Sequence, residues 1–419
     1  MLLRLSEFRI LNVFVVLFFL TSCSSTSSVS YKSAGSGYAS NISQTSKKYI
    51  PPVPLEILIP VFNGGIEQLS EEEKETFSDL RRAESIFFAN LLKDKIEERG
   101  AFVNPKVMPS NRAAADIYVN AEILKSNGHQ LQLKVEFQDS RNEILIPKSK
   151  GKNKVSKFRN KNGIYTITCN NNCRANYKNN PRLKGKTQFN MLFSEVAKDL
   201  ELAVRSNERE LKSIQRTKEI RFAQTLSPER FEDYTSTKRK SGRYIQSLEY
   251  YPDSSDPMFM RTQSIRLAEQ MFIDESQKYI SDHANKKKFL EQYEMWQEQS
   301  GIAEETRLAA KAKQTGNAIG GILLLALAVA AGSDNADAAV AGGLAATALF
   351  NRANKFGKEA ETHKAAIKEL EMDVSYILVD QNIEFEDAVF EARGSVGDQF
   401  IAYKEHLKKI YDNENMQKN

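Results

Sequence analysis

The first foldable part of the chain alternates between short apolar runs and a segment with helical spacing. Leu55–Phe62 is a short run rich in branched apolar residues, and the turn-forming Asn63–Gly65 follows it, which together predict a strand. Between Ser78 and Arg99 apolar residues recur every three or four positions, and Gly100 then predicts the end of a helix.

Two alternating segments follow this helix and are typical of strands. Asp116–Leu124 and Leu131–Phe137 alternate apolar and polar residues, and Ser126–His129 between them predicts a hairpin turn. A further strand is predicted at Glu143–Ile146, and a helix from Phe189 to about Ile214. This order of elements predicts the α+β class for residues 51–215, as a sandwich with an antiparallel or mixed sheet.

The rest of the chain is predicted to be mainly helical. Residues 216–257 are polar and contain three prolines, which predicts a connector with short local structure, whereas 258–372 shows helical spacing over long stretches. Residues 373–419 predict a small C-terminal α/β unit. Its expected elements are strands at Ser375–Val379 and Ile383–Ala392 and a helix at Asp398–Tyr411.

Two apolar arms inside the helical region predict a helical hairpin over residues 318–350, with turn residues between the arms. Each arm would be about 22 Å long against a hydrocarbon core of roughly 30 Å, so the hairpin suits a buried protein core or membrane insertion. The pattern is similar to the glycine-zipper hairpins of bacterial envelope proteins. The small residues expected to pack helices or meet lipid are Gly316, Gly320, Gly321, Gly332, Gly342 and Gly343.

The N-terminus predicts a signal peptide over residues 1–22. Ile10–Leu20 is apolar but too short for an ordinary membrane span, which needs about 20 residues. It ends in Leu20-Thr21-Ser22-Cys23, which resembles the lipobox of bacterial lipoproteins. The resemblance implies cleavage before Cys23 and lipidation, with palmitate, of its sulfur. An ordinary secretory signal or an uncleaved anchor is the alternative.

The residues after Cys23 indicate which membrane the predicted lipoprotein is sorted to. Ser24, where Asp would stand for inner-membrane retention, implies outer-membrane sorting by analogy with Gram-negative lipoproteins, with the periplasmic face expected. Residues 23–50 are rich in Ser, Gly and Thr and predict a flexible tether, because such a composition cannot bury a core.

Positive charge is concentrated in one segment. The net charge of the chain is +5, yet residues 147–187 hold twelve Lys and Arg and no acidic residue. This basic insertion predicts contact with an anionic surface such as lipid headgroups, lipopolysaccharide phosphates or an acidic protein, with a solvated loop as the alternative. Nucleic acid is disfavoured by the exported location. The candidate residues are Lys148, Lys150, Lys152, Lys154, Lys157, Arg159 and Lys161.

Two cysteines remain if Cys23 carries lipid. Cys169 and Cys173 are spaced for a small disulfide-closed loop in an oxidising compartment, with free thiols or a metal site as alternatives. The chain has four histidines, none clustered near this pair. No phosphate loop, H-E-x-x-H or G-x-S-x-G motif occurs in the sequence, so we expect neither an enzyme nor a cofactor beyond the lipid.

Residues 51–215 resemble the periplasmic lipoprotein superfamily of the curli secretion channel subunit (CsgG-like) and the penicillin-binding-protein activator lipoproteins. The resemblance rests on the opening strand Leu55–Asn63, the helix with Arg81–Glu84, and the segments Ala115–Ile123 and Leu131–Asp139. Members commonly open a strand on Ala-Asp and end the next strand near an Asp. The basic insertion and everything after residue 215 depart from the small family members.

These patterns predict a non-enzymatic envelope lipoprotein, a structural or accessory subunit of an outer-membrane or periplasmic assembly. Membrane lipid and other envelope proteins are the expected partners, and a homo-oligomer the expected state. One alternative is a pore or secretion-channel component with the 318–350 hairpins lining or anchoring the channel. The other is an activator of a periplasmic cell-wall enzyme.

Overall fold

The computed structural model describes residues 49–183, 186–284, 381–385, 388–392 and 395–416, together with all but three positions of 289–304. The predicted signal peptide, the lipidation candidate Cys23, nearly all of the predicted tether, the predicted 318–350 hairpin and the six candidate glycines lie outside the described residues.

A five-stranded mixed sheet organises the described part of the chain. β1 pairs in parallel with both of its neighbours, whereas β3 with β4 and β4 with β5 are antiparallel. The sheet is thus mixed, one of the two arrangements expected from the sequence. In the order β2-β1-β3-β4-β5, its strands are β2 (Lys106–Met108), β1 (Ile57–Pro60), β3 (Ile117–Ser126), β4 (Gln130–Asp139) and β5 (Ile164–Thr168).

Seven α-helices accompany the sheet in the described residues, and the described positions of 289–304 are also helical. Two antiparallel hairpins complete the fold: β6 (Thr235–Lys240) with β7 (Arg243–Leu248), and β8 (Gln381–Phe385) with β9 (Ala388–Ala392). The helices are α1 (Glu71–Arg99), α2 (Asn171–Asn179), α3 (Asn190–Ser206), α4 (Leu211–Leu226), α5 (Pro228–Phe231), α6 (Pro257–Ala284) and α7 (Val396–Met416).

Helix α1 begins earlier than its apolar periodicity indicates, because its N-terminus is capped. Ser70 and Glu73 form a capping box: the Ser70 Oγ accepts the Glu73 N–H at 3.3 Å, and Glu73 Oε2 accepts the Ser70 N–H at 3.0 Å. The helix ends at Gly100, which adopts the left-handed conformation that glycine tolerates best (φ 60°).

Helices α1 and α3 cover one face of the sheet. Alternate residues of β3 and β4, such as Val119 and Leu133, are buried in a core shared with both helices. Phe88 of α1 and Phe193 of α3 meet there, with ring centroids 5.3 Å apart. Each large apolar side chain buried in this way contributes about 1.5–3 kcal/mol to folding.

The opposite face is covered only in part. Leu58 of β1 and Met108 of β2 join a second core with α4, α6 and α7, in which Phe272 stacks on Tyr403 at 5.0 Å. Most outward residues of β3, β4 and β5 are instead polar and at least partly exposed, as Asn120, Lys134 and Thr166 show. The sheet thus has one fully packed face and one half-covered face.

The basic insertion is built into the sheet. It supplies the edge strand β5, whose Tyr165 and Ile167 are buried in the main core. Residues 158–160 then run along the outer edge of β5: the Thr166 N–H donates to the Phe158 carbonyl, and the Asn160 N–H donates to the Ile164 carbonyl, both at 2.9 Å. A strand of five residues between basic and Asn-rich flanks leaves little periodicity in the sequence.

Several predicted boundaries differ from those in the structure. Helix α4 crosses the expected boundary at residue 215, and β6 and β7 occupy part of the expected 216–257 connector. The helix expected from Phe189 to Ile214 is divided by a 3₁₀ turn at Glu208–Glu210. Residues 143–146 form an isolated bridge, Gln138 to Ile144, rather than a strand. The segment Ile383–Ala392, predicted as one strand, overlaps the hairpin of β8 and β9, and the strand predicted at Ser375–Val379 lies outside the described residues.

Two glycines let the 289–304 segment pack directly against the β3–β4 turn. The Gly128 N–H donates to Ser300 Oγ at 3.2 Å, and a Cβ on Gly128 would lie 1.7 Å from the Gln297 carbonyl oxygen. A Cβ on Gly301 would lie 2.6 Å from the Gly128 carbonyl oxygen. No side chain larger than hydrogen fits at either position without movement of the backbone.

The same segment is held to α1 by a buried polar contact and by aromatic packing. Tyr293 donates its hydroxyl to Glu84 Oε1 at 2.8 Å, and Ser126 of β3 donates to the same oxygen. Glu84 is fully buried, and burial raises its pKa. Phe289 and Tyr293 both pack edge-on against the ring of Phe87.

Substitution of Gly128 by alanine tests this docking. We expect Gly128→Ala to lower the free energy of unfolding by about 1–3 kcal/mol, as overpacking usually does, when measured by urea denaturation. Gly397→Ala in α7 is the matched control, because its Cβ would meet nothing closer than Pro109 Cβ at 3.6 Å. Equal stabilities of the two variants would show that the segment does not press on the turn.

Candidate functional site

Asp199 of α3 anchors the basic insertion, which carries the predicted basic residues, to the helix. Its carboxylate accepts the Ser156 backbone N–H and the Tyr165 hydroxyl, each at 2.9 Å. Burial raises the pKa of Asp199, and these hydrogen bonds oppose the shift. Asp199 stands at helical spacing between Val196 and Ala203 on the apolar face of α3, and a charge at such a position is a sequence signal for a buried contact.

The lysines between residues 148 and 161 of the basic insertion are exposed to solvent. Lys150 and Asn153 close a tight turn through reciprocal backbone hydrogen bonds of 2.9 and 3.1 Å. Arg159 is half-buried and donates to the Asn160 carbonyl at 3.2 Å. Within the described residues, no carboxylate lies at ion-pair distance from the six lysines, so their charge remains available to an external anion. These exposed lysines are Lys148, Lys150, Lys152, Lys154, Lys157 and Lys161.

A disulfide joins Cys169 and Cys173, whose Cα atoms are 5.2 Å apart. Asn170 between them caps α2 by accepting the Cys173 N–H at 3.0 Å. Arg174 donates to the carbonyls of Cys169 and Gly128, at 3.0 and 3.4 Å. The disulfide loop is therefore tied to the same β3–β4 turn that receives the 289–304 segment.

At the opposite end of β3, six charged side chains alternate in sign between the sheet and three helices. They hold equal numbers of positive and negative groups, so the network is neutral as a whole. Pairing of this kind is what makes buried charges tolerable. The successive pairs are Asp116–Lys218 at 3.2 Å, Lys218–Glu56 at 3.3 Å, Glu56–Arg266 at 2.6 Å, Arg266–Glu269 at 2.8 Å and Glu269–Lys404 at 3.6 Å.

Asp116 is fully buried in this network. Burial raises its pKa to about 6, while the charge of Lys218 and the Glu56 backbone N–H, at 2.7 Å, pull the pKa back down. A buried acid with a shifted pKa and a specific cationic partner is a physical mark of a functional region.

The two aspartates of the motifs that resemble the lipoprotein superfamily lie at this same end of the sheet. Asp139, at the end of β4, pairs in register with Ile117, the residue after Asp116. Its carboxylate accepts from Arg141 Nε and Nη2 at 3.0 and 2.8 Å, and Arg141 also reaches Glu210 at 2.8 Å. Asp116 therefore links the start of β3 to Lys218 of α4. Asp139 links the end of β4, through Arg141, to Glu210 in the 3₁₀ turn that precedes α4.

Sequence reasoning missed Lys218, Arg266 and Glu269 in this network. Charged residues on helices are usually solvated, and nothing in the spacing of these three distinguishes them from surface residues. Among the described residues, no group of three or more His, Cys, Asp or Glu side chains is arranged to hold a metal ion. None of the helices formed by these residues is long and apolar enough to cross a membrane.

Comparison of the chain with protein-family models, with curated proteins and with solved structures gives no match.

Replacement of Asp116 by asparagine tests its shifted pKa. Because the folded pKa of about 6 exceeds the ordinary 3.8, the folded state binds more protons between pH 4 and 6. Asp116 should therefore lower the free energy of unfolding by up to about 3 kcal/mol as pH rises through this window, and Asp116→Asn should make the measured slope shallower by that contribution. Urea denaturation at several pH values measures this pH dependence of the free energy of unfolding.

Asp253→Asn is the control for this experiment. Asp253 is exposed, and its hydrogen bonds with Ser255 lower its pKa, so its titration lies below the window. Its stability curve should run parallel to that of the unchanged protein between pH 4 and 6. A parallel curve for Asp116→Asn would contradict the raised pKa.

Proposed function

We propose that this protein is a non-enzymatic lipoprotein, attached to the outer membrane through lipid on Cys23 and facing the periplasm. It acts as a structural or accessory subunit of an envelope assembly and associates with copies of itself and with other envelope proteins. The observation that carries this proposal is the docking of the 289–304 segment on the β3–β4 turn through Gly128 and Gly301. This docked segment precedes the apolar arms of 318–350 in the sequence.

The resemblance of residues 51–215 to the CsgG-like and penicillin-binding-protein activator lipoproteins supports the same class. We propose an α+β sandwich there, followed by a mainly helical region with the apolar hairpin and a small C-terminal α/β unit. Packing of α1 and α3 on one face of the sheet supports the sandwich. The positions of Asp116 and Asp139 at one sheet end give the two motif aspartates a common structural role.

Membrane lipid is the proposed partner of the basic insertion. Lysines without acidic partners, on a loop anchored by Asp199, suit an anionic headgroup surface, where each contributes about 1 kcal/mol. Cosedimentation of the chain from Ser24 onward with vesicles that contain anionic lipid, but not with phosphatidylcholine vesicles, tests this contact. Equal binding to both kinds of vesicle would argue against it.

Metabolic labelling with radioactive palmitate tests the lipid anchor. We expect the full chain to incorporate the label and Cys23→Ala to lose it, since only the cysteine sulfur can accept the diacylglycerol. The double variant Cys169→Ala, Cys173→Ala is the matched control and should keep the label, because the disulfide removes both thiols from modification. Label retained in Cys23→Ala would exclude lipidation at this residue.

A pore or secretion-channel component is the second candidate function. It is favoured by the four-residue spacing of Gly316 and Gly320, which permits the close helix packing found in lipid. In that case the hairpins of several subunits would line or anchor the channel. Activation of a periplasmic cell-wall enzyme, the third candidate, needs no self-association.

The size and detergent dependence of the chain from Ser24 onward, with and without residues 316–351, separates these functions. The structural-subunit proposal expects both forms to stay soluble and only the longer one to oligomerise, measured by analytical ultracentrifugation. A longer form that needs detergent, beside a deletion that does not, would favour the channel. Two soluble monomers would contradict both and favour the activator.

A further inference from the structure

A cavity of about 420 Å³ lies between α4, α7 and the loop Asn111–Ala115, beside the buried charge network. Its walls combine apolar surface from the alanines of the loop, Phe222 and Ile401 with several cationic side chains. Pockets of about 300–1,000 Å³ with mostly apolar walls and a few placed polar groups are typical of small-molecule sites.

The loop that forms one wall is held in place. The Tyr118 hydroxyl donates to the Ala113 carbonyl at 2.9 Å and accepts the Ala115 N–H at 3.0 Å. Lys404 of α7 donates to the Arg112 carbonyl at 3.0 Å. The wall is therefore shaped by the protein's own contacts before a ligand arrives, which lowers the entropy cost of binding.

The cavity carries positive charge that the protein does not balance. Lys218 and Lys404 belong to the neutral network and are offset by its carboxylates. Arg221 instead donates to the Ser140 carbonyl and, at 3.1 Å, to Asn142 Oδ1, both uncharged acceptors. Within the described part of the chain, no carboxylate pairs with Arg221 or Arg112, and Glu405 is the single acidic residue that lines the cavity.

Apolar surface continues from this charged region along the groove between α4 and α7. A second cavity of about 150 Å³ shares Phe222, Thr225, Lys404 and Glu405 with the first and is lined further by Leu226, Leu407 and Lys408. The groove thus combines cationic side chains with an apolar wall formed by Phe222, Leu226 and Leu407.

We propose that this groove binds a small amphiphilic oxyanion. Arg221 and Arg112 hold a phosphate or carboxylate head, and a short apolar tail lies against Phe222, Leu226 and Leu407. The planar guanidinium suits this head, because it donates two parallel hydrogen bonds to a pair of oxyanion oxygens. The uncharged acceptors of Arg221 orient its side chain without neutralising it.

Calorimetric titration of the full chain in phosphatidylcholine nanodiscs with hexyl phosphate tests the proposal, with empty nanodiscs as the blank. We expect saturable binding, with inorganic phosphate and hexanol each binding at least about tenfold more weakly. Arg221→Gln should weaken hexyl phosphate about tenfold or more, because a hydrogen bond to a charged group is lost.

A second variant and a control separate ligand binding from folding, because Arg221 also bonds the Ser140 carbonyl. Thr225→Trp fills the groove without removing a charge and should abolish binding, whereas Lys212→Gln, exposed on α4 and outside both cavities, should leave it unchanged. Thermal melting of each variant confirms that it is folded. Absence of saturable binding, equal affinity for inorganic phosphate or hexanol, or binding unaffected by Arg221→Gln and Thr225→Trp would overturn the proposal.

Discussion

A carboxylate removed from water must find hydrogen-bond donors or cations, and the architecture of this protein depends on how four of them do so. Three of them accept from groups on other elements and are satisfied only when two elements have met, whereas Asp139 accepts from Arg141 and Glu143 in the turn that follows β4. Together they join the sheet to the helices and to the basic insertion. The four are Glu84 with Ser126 and Tyr293, Asp116 with Lys218, Asp139 with Arg141, and Asp199 with Ser156 and Tyr165.

These contacts divide the molecule along its longest strands. β3 and β4 each have ten residues, which is about 33 Å of extended chain. One end carries the β3–β4 turn, the disulfide loop and the docked 289–304 segment, whereas the other end carries the charge network and the groove between α4 and α7. The contacts that dock the 289–304 segment and the proposed ligand site therefore lie at separate ends of these strands.

The periodicity of apolar residues predicted the strands and helices that bury one apolar face. It did not predict very short strands or elements that are held in place by polar contacts. The alternation of β3 and β4 and the helical spacing of α1 were sufficient to place them, because one face of each is buried. β2 has three residues and β5 five, too few for a reliable period. Lys218 and Arg266 resemble surface residues in the sequence, since their burial depends on carboxylates distant along the chain. The groove follows from these tertiary contacts and has no local signature.

Both edges of the sheet are closed by the protein itself. Gln277 of α6 accepts the outward Val107 N–H of β2, and residues 158–160 lie along β5. An exposed edge is a template for strand addition by another chain, so capping both edges directs contact between copies to side-chain surfaces and helices. The Asp199 hydrogen bond to Ser156 thereby guards against aggregation, since release of the insertion would uncover β5 as a site for fibril-like pairing.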